Sequence, residues 1–136
     1  MTIPLTESGE VAATFQPPWW LRNAHLQTIW GRATRSRKVV RFTRETLNTP
    51  DGDELVIDHM EGAANGPRII LLHGLEGSSY SVYIQGMLAQ VARRGLPATV
   101  VNFRHCARDP ENIRRVLPNG RPRMYHSGET TDLDFV

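Results

Sequence analysis

Cysteine is almost absent from this 136-residue chain: Cys106 stands alone, so no disulfide framework can form within it. Charge of one sign is also scarce. Sixteen Lys and Arg face fourteen Asp and Glu, and a net charge of +2 is too small to argue for a nucleic-acid partner. No apolar run approaches the roughly 18 residues of a membrane-spanning helix. The opening Met1 to Glu10 lacks both the basic and the apolar regions of a secretory signal. Together these absences favour the cytoplasm and a soluble globular protein, with one domain as the default for this length.

Several catalytic signatures are missing too. There is no G-x-S-x-G nucleophile elbow; Gly77-Ser-Ser-Tyr-Ser81 has Ser where the last Gly should stand. Gly74-Leu-Glu-Gly77 lacks the third glycine of a dinucleotide loop and no P-loop Lys follows it, while Glu76 would repel a phosphate. His25, His59, His105 and His126 are scattered without metal-ligand spacing, so no metal or cofactor is expected. Ser78 and Ser127 read as turn and cap residues, and nothing places a base beside Cys106.

What is present centres on Ile69 to Ser79. Four apolar residues, Ile69 to Leu72, predict a strand buried on both faces of a sheet. His73-Gly74 turns the chain. A helical pattern follows, with Ile84, Met87, Leu88, Val91 and Ala92 on one face, and then a second strand at Pro97 to Phe103. Strand, helix and strand in about 35 residues make a βαβ unit.

Ahead of it, residues 1–14 read as a loose leader. Phe15-Gln-Pro-Pro-Trp-Trp-Leu21 carries a large apolar load, either an arm packed on the domain or part of an acyl-binding wall, and Trp19 and Trp20 could touch a membrane surface. Asn23 can cap a helix from Ala24 to about Gly31. The arginines between Arg32 and Arg44 read as a solvated face. Val39 to Leu47 and Glu54 to His59 predict an antiparallel hairpin, the second strand at the sheet edge, around the turn Thr49-Pro-Asp-Gly-Asp53. Past Phe103, Arg104 to Arg123 predicts a long loop with one helical turn near Glu111 to Arg115, and Glu129-Thr130 a helix start.

His73-Gly74-Leu75 after a buried strand is the sharpest chemical feature. A loop in this place can donate a backbone N–H, here that of Leu75, to an oxyanion hole, with Gly74 letting the backbone approach the substrate. The same tripeptide also fits the strand end of any βαβ unit.

Asn23-Ala-His-Leu-Gln-Thr28, Thr49-Pro-Asp-Gly-Asp53, His73-Gly-Leu-Glu-Gly-Ser78, Asn102-Phe-Arg104 with Cys106, and Tyr125-His-Ser-Gly-Glu-Thr130 occur in an order that resembles the N-terminal part of the YheT-like α/β-hydrolases, esterases and acylglycerol lipases. The resemblance implies an α/β fold, with a mixed, mostly parallel sheet and flanking helices, and a single domain over residues 15–136, cut before the nucleophile elbow. It implies hydrolysis of a short- or medium-chain acyl ester by a Ser-His-Asp triad that lies outside this chain, with His73, Gly74 and Leu75 as its oxyanion loop. On its own the chain is then expected to be inactive. The alternative is a non-catalytic remnant or interaction module. Where the family usually has Phe-Arg-Gly-Cys, this chain has Phe103-Arg-His105-Cys106, followed by a longer segment to Tyr125.

Overall fold

The computed structural model describes residues 16–35, 39–63, 66–126 and 128–136. The leader, Phe15 and Ser127 lie outside the described residues. The chain divides into two units, residues 1–34 and 35–136.

In the first unit a 3₁₀ turn at Trp19–Leu21 precedes helix α1, Ala24–Thr34. Pro17 and Pro18 keep the chain ahead of the turn out of a helix. Asn23 caps α1 as its position suggests: its Oδ1 accepts from the N–H groups of His25 at 2.9 Å and Leu26 at 3.3 Å. Trp20 and Trp30 meet edge to face at 4.9 Å.

The second unit is built on strands β1 (Thr43–Asn48), β2 (Glu54–Met60), β3 (Ile69–Leu72) and β4 (Ala98–Asn102), with helix α2 (Val82–Arg93) between β3 and β4 and the short helix α3 (Thr131–Phe135) at its end. The sheet is mixed, in the order β1-β2-β4-β3. β1 and β2 form the expected antiparallel hairpin, and Gly52, at φ +77°, closes its turn in the left-handed region that favours glycine. β2 is an interior strand rather than an edge: it also pairs antiparallel with β4, and Leu55, Ile57, Asp58 and Met60 are buried. β3 pairs parallel with β4, with Leu71 opposite Val100.

α2 buries Ile84 and Leu88 against Leu71, Met60, Ala98 and Val100, with Val91 packed alongside. Its stripe differs from the expected one. Gln85 lies on it, because its Nε2 donates to Ser79 O and its Oε1 accepts from Val40 N–H, while Met87 and Ala92 are exposed. Gly95, at φ +67°, ends the helix, its N–H donating to Ala92 O.

The two-sided burial expected for β3 does not occur. Leu71 is buried, but Ile70 and Leu72 are 53% and 42% exposed. The reason is position: among the described residues β3 has a neighbour on one side only, so the face it shares with buried Ile57 and Val101 opens at the sheet's rim. Beyond β4, residues 104–123 carry no helix. An isolated bridge between Arg108 and Val116 closes the segment, with turns at Asp109 to Arg115.

Candidate active site

The chain leaves β3 at His73 with its ring inward, only 4% exposed. Nε2 accepts the Phe103 N–H at 3.0 Å, so Nδ1 carries the proton and donates it to Gly74 O at 2.9 Å. Burial lowers the His73 pKa and keeps the ring neutral. With both nitrogens engaged it ties the ends of β3 and β4 together and is not free for acid–base work.

The loop that follows engages almost every amide it has. Gly74 N–H donates to Tyr83 Oη and Glu76 N–H to Tyr125 Oη, both at 2.6 Å. Gly77 N–H donates to Gly74 O, Ser78 N–H to Ser81 Oγ, Ser79 N–H to Asn102 Oδ1 and Tyr80 N–H to Ser78 Oγ. Among the described residues the Leu75 N–H has no partner, and Leu75 is 86% exposed. Glu76 beside it has φ +54°, a region that residues with a side chain seldom enter and that clusters at functional sites. Gly77 is required by space: a Cβ there would come within 2.8 Å of Tyr83 Oη and 2.9 Å of Gly74 O. At Gly74 a Cβ would meet nothing closer than Tyr83 Oη at 3.6 Å.

One buried polar cluster supports this loop, and a second ties the β1–β2 turn and α3 to the end of β4. Asn102 holds Ser79 N–H and donates to Asp58 Oδ2 at 2.8 Å, and Asp58 receives both Nε and Nη2 of Arg44. Arg104, 3% exposed, forks onto Asp132 at 2.7 and 2.9 Å and reaches Asp51 at 2.7 Å and Asp53 at 3.1 Å. Asp132, in the first turn of α3, is thus one wall of an arginine cage. Bonds to Asp132 raise the Arg104 pKa, and Arg104 in turn holds the Asp51 carboxyl well below the usual range. Arg123 Nη2 donates to both carboxylate oxygens of Glu129 at 3.0 Å.

His105 adopts φ +60°, the conformation for which glycine is the ordinary choice. Its N–H donates to Asn119 Oδ1 at 2.7 Å, and its Nε2 lies 2.8 Å from Arg121 O. Both partners belong to the long segment before Tyr125. Cys106 is buried and desolvation raises its thiol pKa, the opposite of what a nucleophile needs. Ser78 is 3% exposed and bonded within its turn.

His73, Gly74 and Leu75 therefore fall in one loop at the C-terminal ends of β3 and β4. Sequence reasoning missed Tyr83 and Tyr125. Tyr125 sits in one of the quoted blocks, but its 49-residue separation from Glu76 hides the contact. Tyr83, in the first turn of α2, gave no signal of its own.

No protein-family model matches the chain. YheT of Escherichia coli strain K12, named as an esterase, is 36% identical over 140 residues, covering 98% of this chain and 38% of that protein. An abhydrolase domain-containing protein of Dictyostelium discoideum is 29% identical, covering 90% of this chain and 30% of its own length. Phospholipase ABHD3 of Bos taurus is 29% identical, covering 93% and 31%. The chain thus spans between 30% and 38% of the length of these relatives.

Proposed function

The chain belongs to the α/β-hydrolase family, and on that premise we propose that it forms part of a carboxylic ester hydrolase acting on short- or medium-chain acyl esters or acylglycerols. The observation that carries this reading is that, among the described residues, the Leu75 amide alone is without a partner in a loop whose other amides are engaged. In the proposed mechanism a Ser Oγ from sequence outside these 136 residues attacks the ester carbonyl, and a His takes its proton. The carbonyl π electrons move to oxygen, and that oxyanion accepts hydrogen bonds from Leu75 N–H and from the amide after the nucleophile. Collapse expels the alcohol, which receives the proton from His. Water then releases the acid by the same steps in reverse order. The names of the relatives, an esterase and a phospholipase, agree with ester chemistry.

The test is hydrolysis of p-nitrophenyl butyrate by the whole protein. Leu75→Pro deletes the donor, and kcat is expected to fall about 10²–10³-fold below that of Leu75→Ala, which keeps the N–H. Equal rates for the two variants would overturn the donor assignment.

A second reading, an interaction module without catalysis, is favoured by one observation, the exposed Ile70 and Leu72 on a strand that, among the described residues, is paired on one side only. An inert whole protein would select it.

A further inference from the structure

We infer that Tyr83 and Tyr125 are positioning residues that aim the Leu75 N–H before substrate arrives; the inference rests on the ester-hydrolase reading above. The two hydroxyls grip the peptide on either side of the donor. Tyr83 Oη accepts the Gly74 N–H and Tyr125 Oη accepts the Glu76 N–H, each at 2.6 Å. The Leu75 N–H shares its peptide plane with Gly74 O, which accepts from His73 Nδ1 and Gly77 N–H, both at 2.9 Å; the tyrosines hold the peptide planes on either side and so limit how far that plane can tilt.

The grip comes from two independent directions. Tyr83 stands in the first turn of α2, whose buried residues anchor it to the sheet. Tyr125 arrives on the segment leading to α3, and its ring is itself held. It stacks on Phe103 at 4.8 Å and 7° between planes, and meets His73 edge-on at 5.9 Å. The Tyr125 bond also explains how Glu76 stays at φ +54°. Left-handed backbone at a residue with a side chain persists only where its surroundings enforce it. Arg108 Nη2, 3.5 Å from Glu76 O, stands at the limit of a hydrogen bond and adds little.

A donor set in advance accelerates reaction because no reorganisation is needed as charge develops. Small misplacements of such groups are expensive in rate. Phenylalanine at either position keeps the ring and removes the oxygen that holds the amide; at position 125 it also removes the hydroxyl's contacts with Cys106 and with Gly74 O at 3.5 Å.

The experiment uses the whole protein and p-nitrophenyl butyrate, comparing wild type, Tyr83→Phe and Tyr125→Phe, each also in the Leu75→Pro background, with melting followed in parallel. Each Phe variant is expected to lower kcat about tenfold while KM stays within about twofold. In the Leu75→Pro background the same substitutions are expected to change kcat little, because the donor they position is gone. A merely structural role would lower the rate by the same factor in both backgrounds. That result, or wild-type kcat in both single variants, would overturn the inference while leaving the ester-hydrolase reading intact. An inert wild type would overturn both. Should Tyr125→Phe fail to fold, Tyr83→Phe decides by the same criteria.

Discussion

His105 shows how one residue can depart from a family's pattern and still fit the backbone. At φ +60° a residue with a Cβ is disfavoured by about 1–2 kcal/mol, which is why glycine suits the place. The imidazole offsets this by binding Arg121 O at 2.8 Å and receiving Asn119 N–H at 3.4 Å, a return of about 1 kcal/mol for the better of the two. His105→Gly is therefore expected to unfold within about 1 kcal/mol of the parent, and His105→Ala to be less stable than His105→Gly by about 1 kcal/mol, since alanine keeps the strain and loses the bonds. Chemical denaturation reads the difference, and an alanine variant as stable as the glycine variant would contradict it. The sequence made the departure visible at once. It did not reveal that Asn119 and Arg121, fourteen and sixteen residues on, compensate for it, because nothing in composition or periodicity marks a loop residue as the partner of another.

Among the elements, those set by local pattern were legible and those set by partners were not. The capping of α1 by Asn23, the hairpin turn at Gly52 and the βαβ unit of β3, α2 and β4 follow from residues close in the chain. The interior place of β2 does not, since it depends on pairing with β4 some 44 residues away. Nor does the exposure of Ile70 and Leu72, which depends on what lies beside β3. Arg104 is the residue on which the β1–β2 turn, the end of β4 and α3 converge. Arg104→Met would leave Asp53 and Asp132, both under 4% exposed, without a counter-charge, and a loss of about 3–5 kcal/mol is expected. Because Arg104 and hydrogen-bond donors hold Asp51 below its ordinary pKa, the cage stabilises the fold fully above about pH 4. That contribution is lost as acidification through the lowered native value neutralises the carboxylate. The gap in melting temperature between parent and Arg104→Met should therefore narrow below pH 4, and a gap independent of pH would contradict the assignment.

At the scale of the molecule, among the described residues β3 presents backbone donors and acceptors along one side together with two exposed aliphatic side chains. Such an edge is a template for pairing with another chain. The 136-residue polypeptide made by itself is expected to self-associate, and Ile70→Lys to reduce this, as read by light scattering; a monodisperse parent with cooperative unfolding would contradict the expectation. The candidate site itself was legible as one loop, His73 to Leu75, but its supports were not. The most distant of them joins residues 49 positions apart, Tyr125 to Glu76, and Asn102 reaches Ser79 and Asp58 across 23 and 44 positions. This separation has a consequence for the order of assembly. The β1–β2 hairpin and the β3–α2–β4 unit close over short stretches and can form once β4 has emerged from the ribosome. The Glu76 amide must wait for Tyr125. On the ribosome, then, the scaffold forms first and the shape of the candidate donor loop is acquired late. A nascent chain whose β4 has emerged while Tyr125 has not would hold a formed sheet with its Leu75 amide still unaimed.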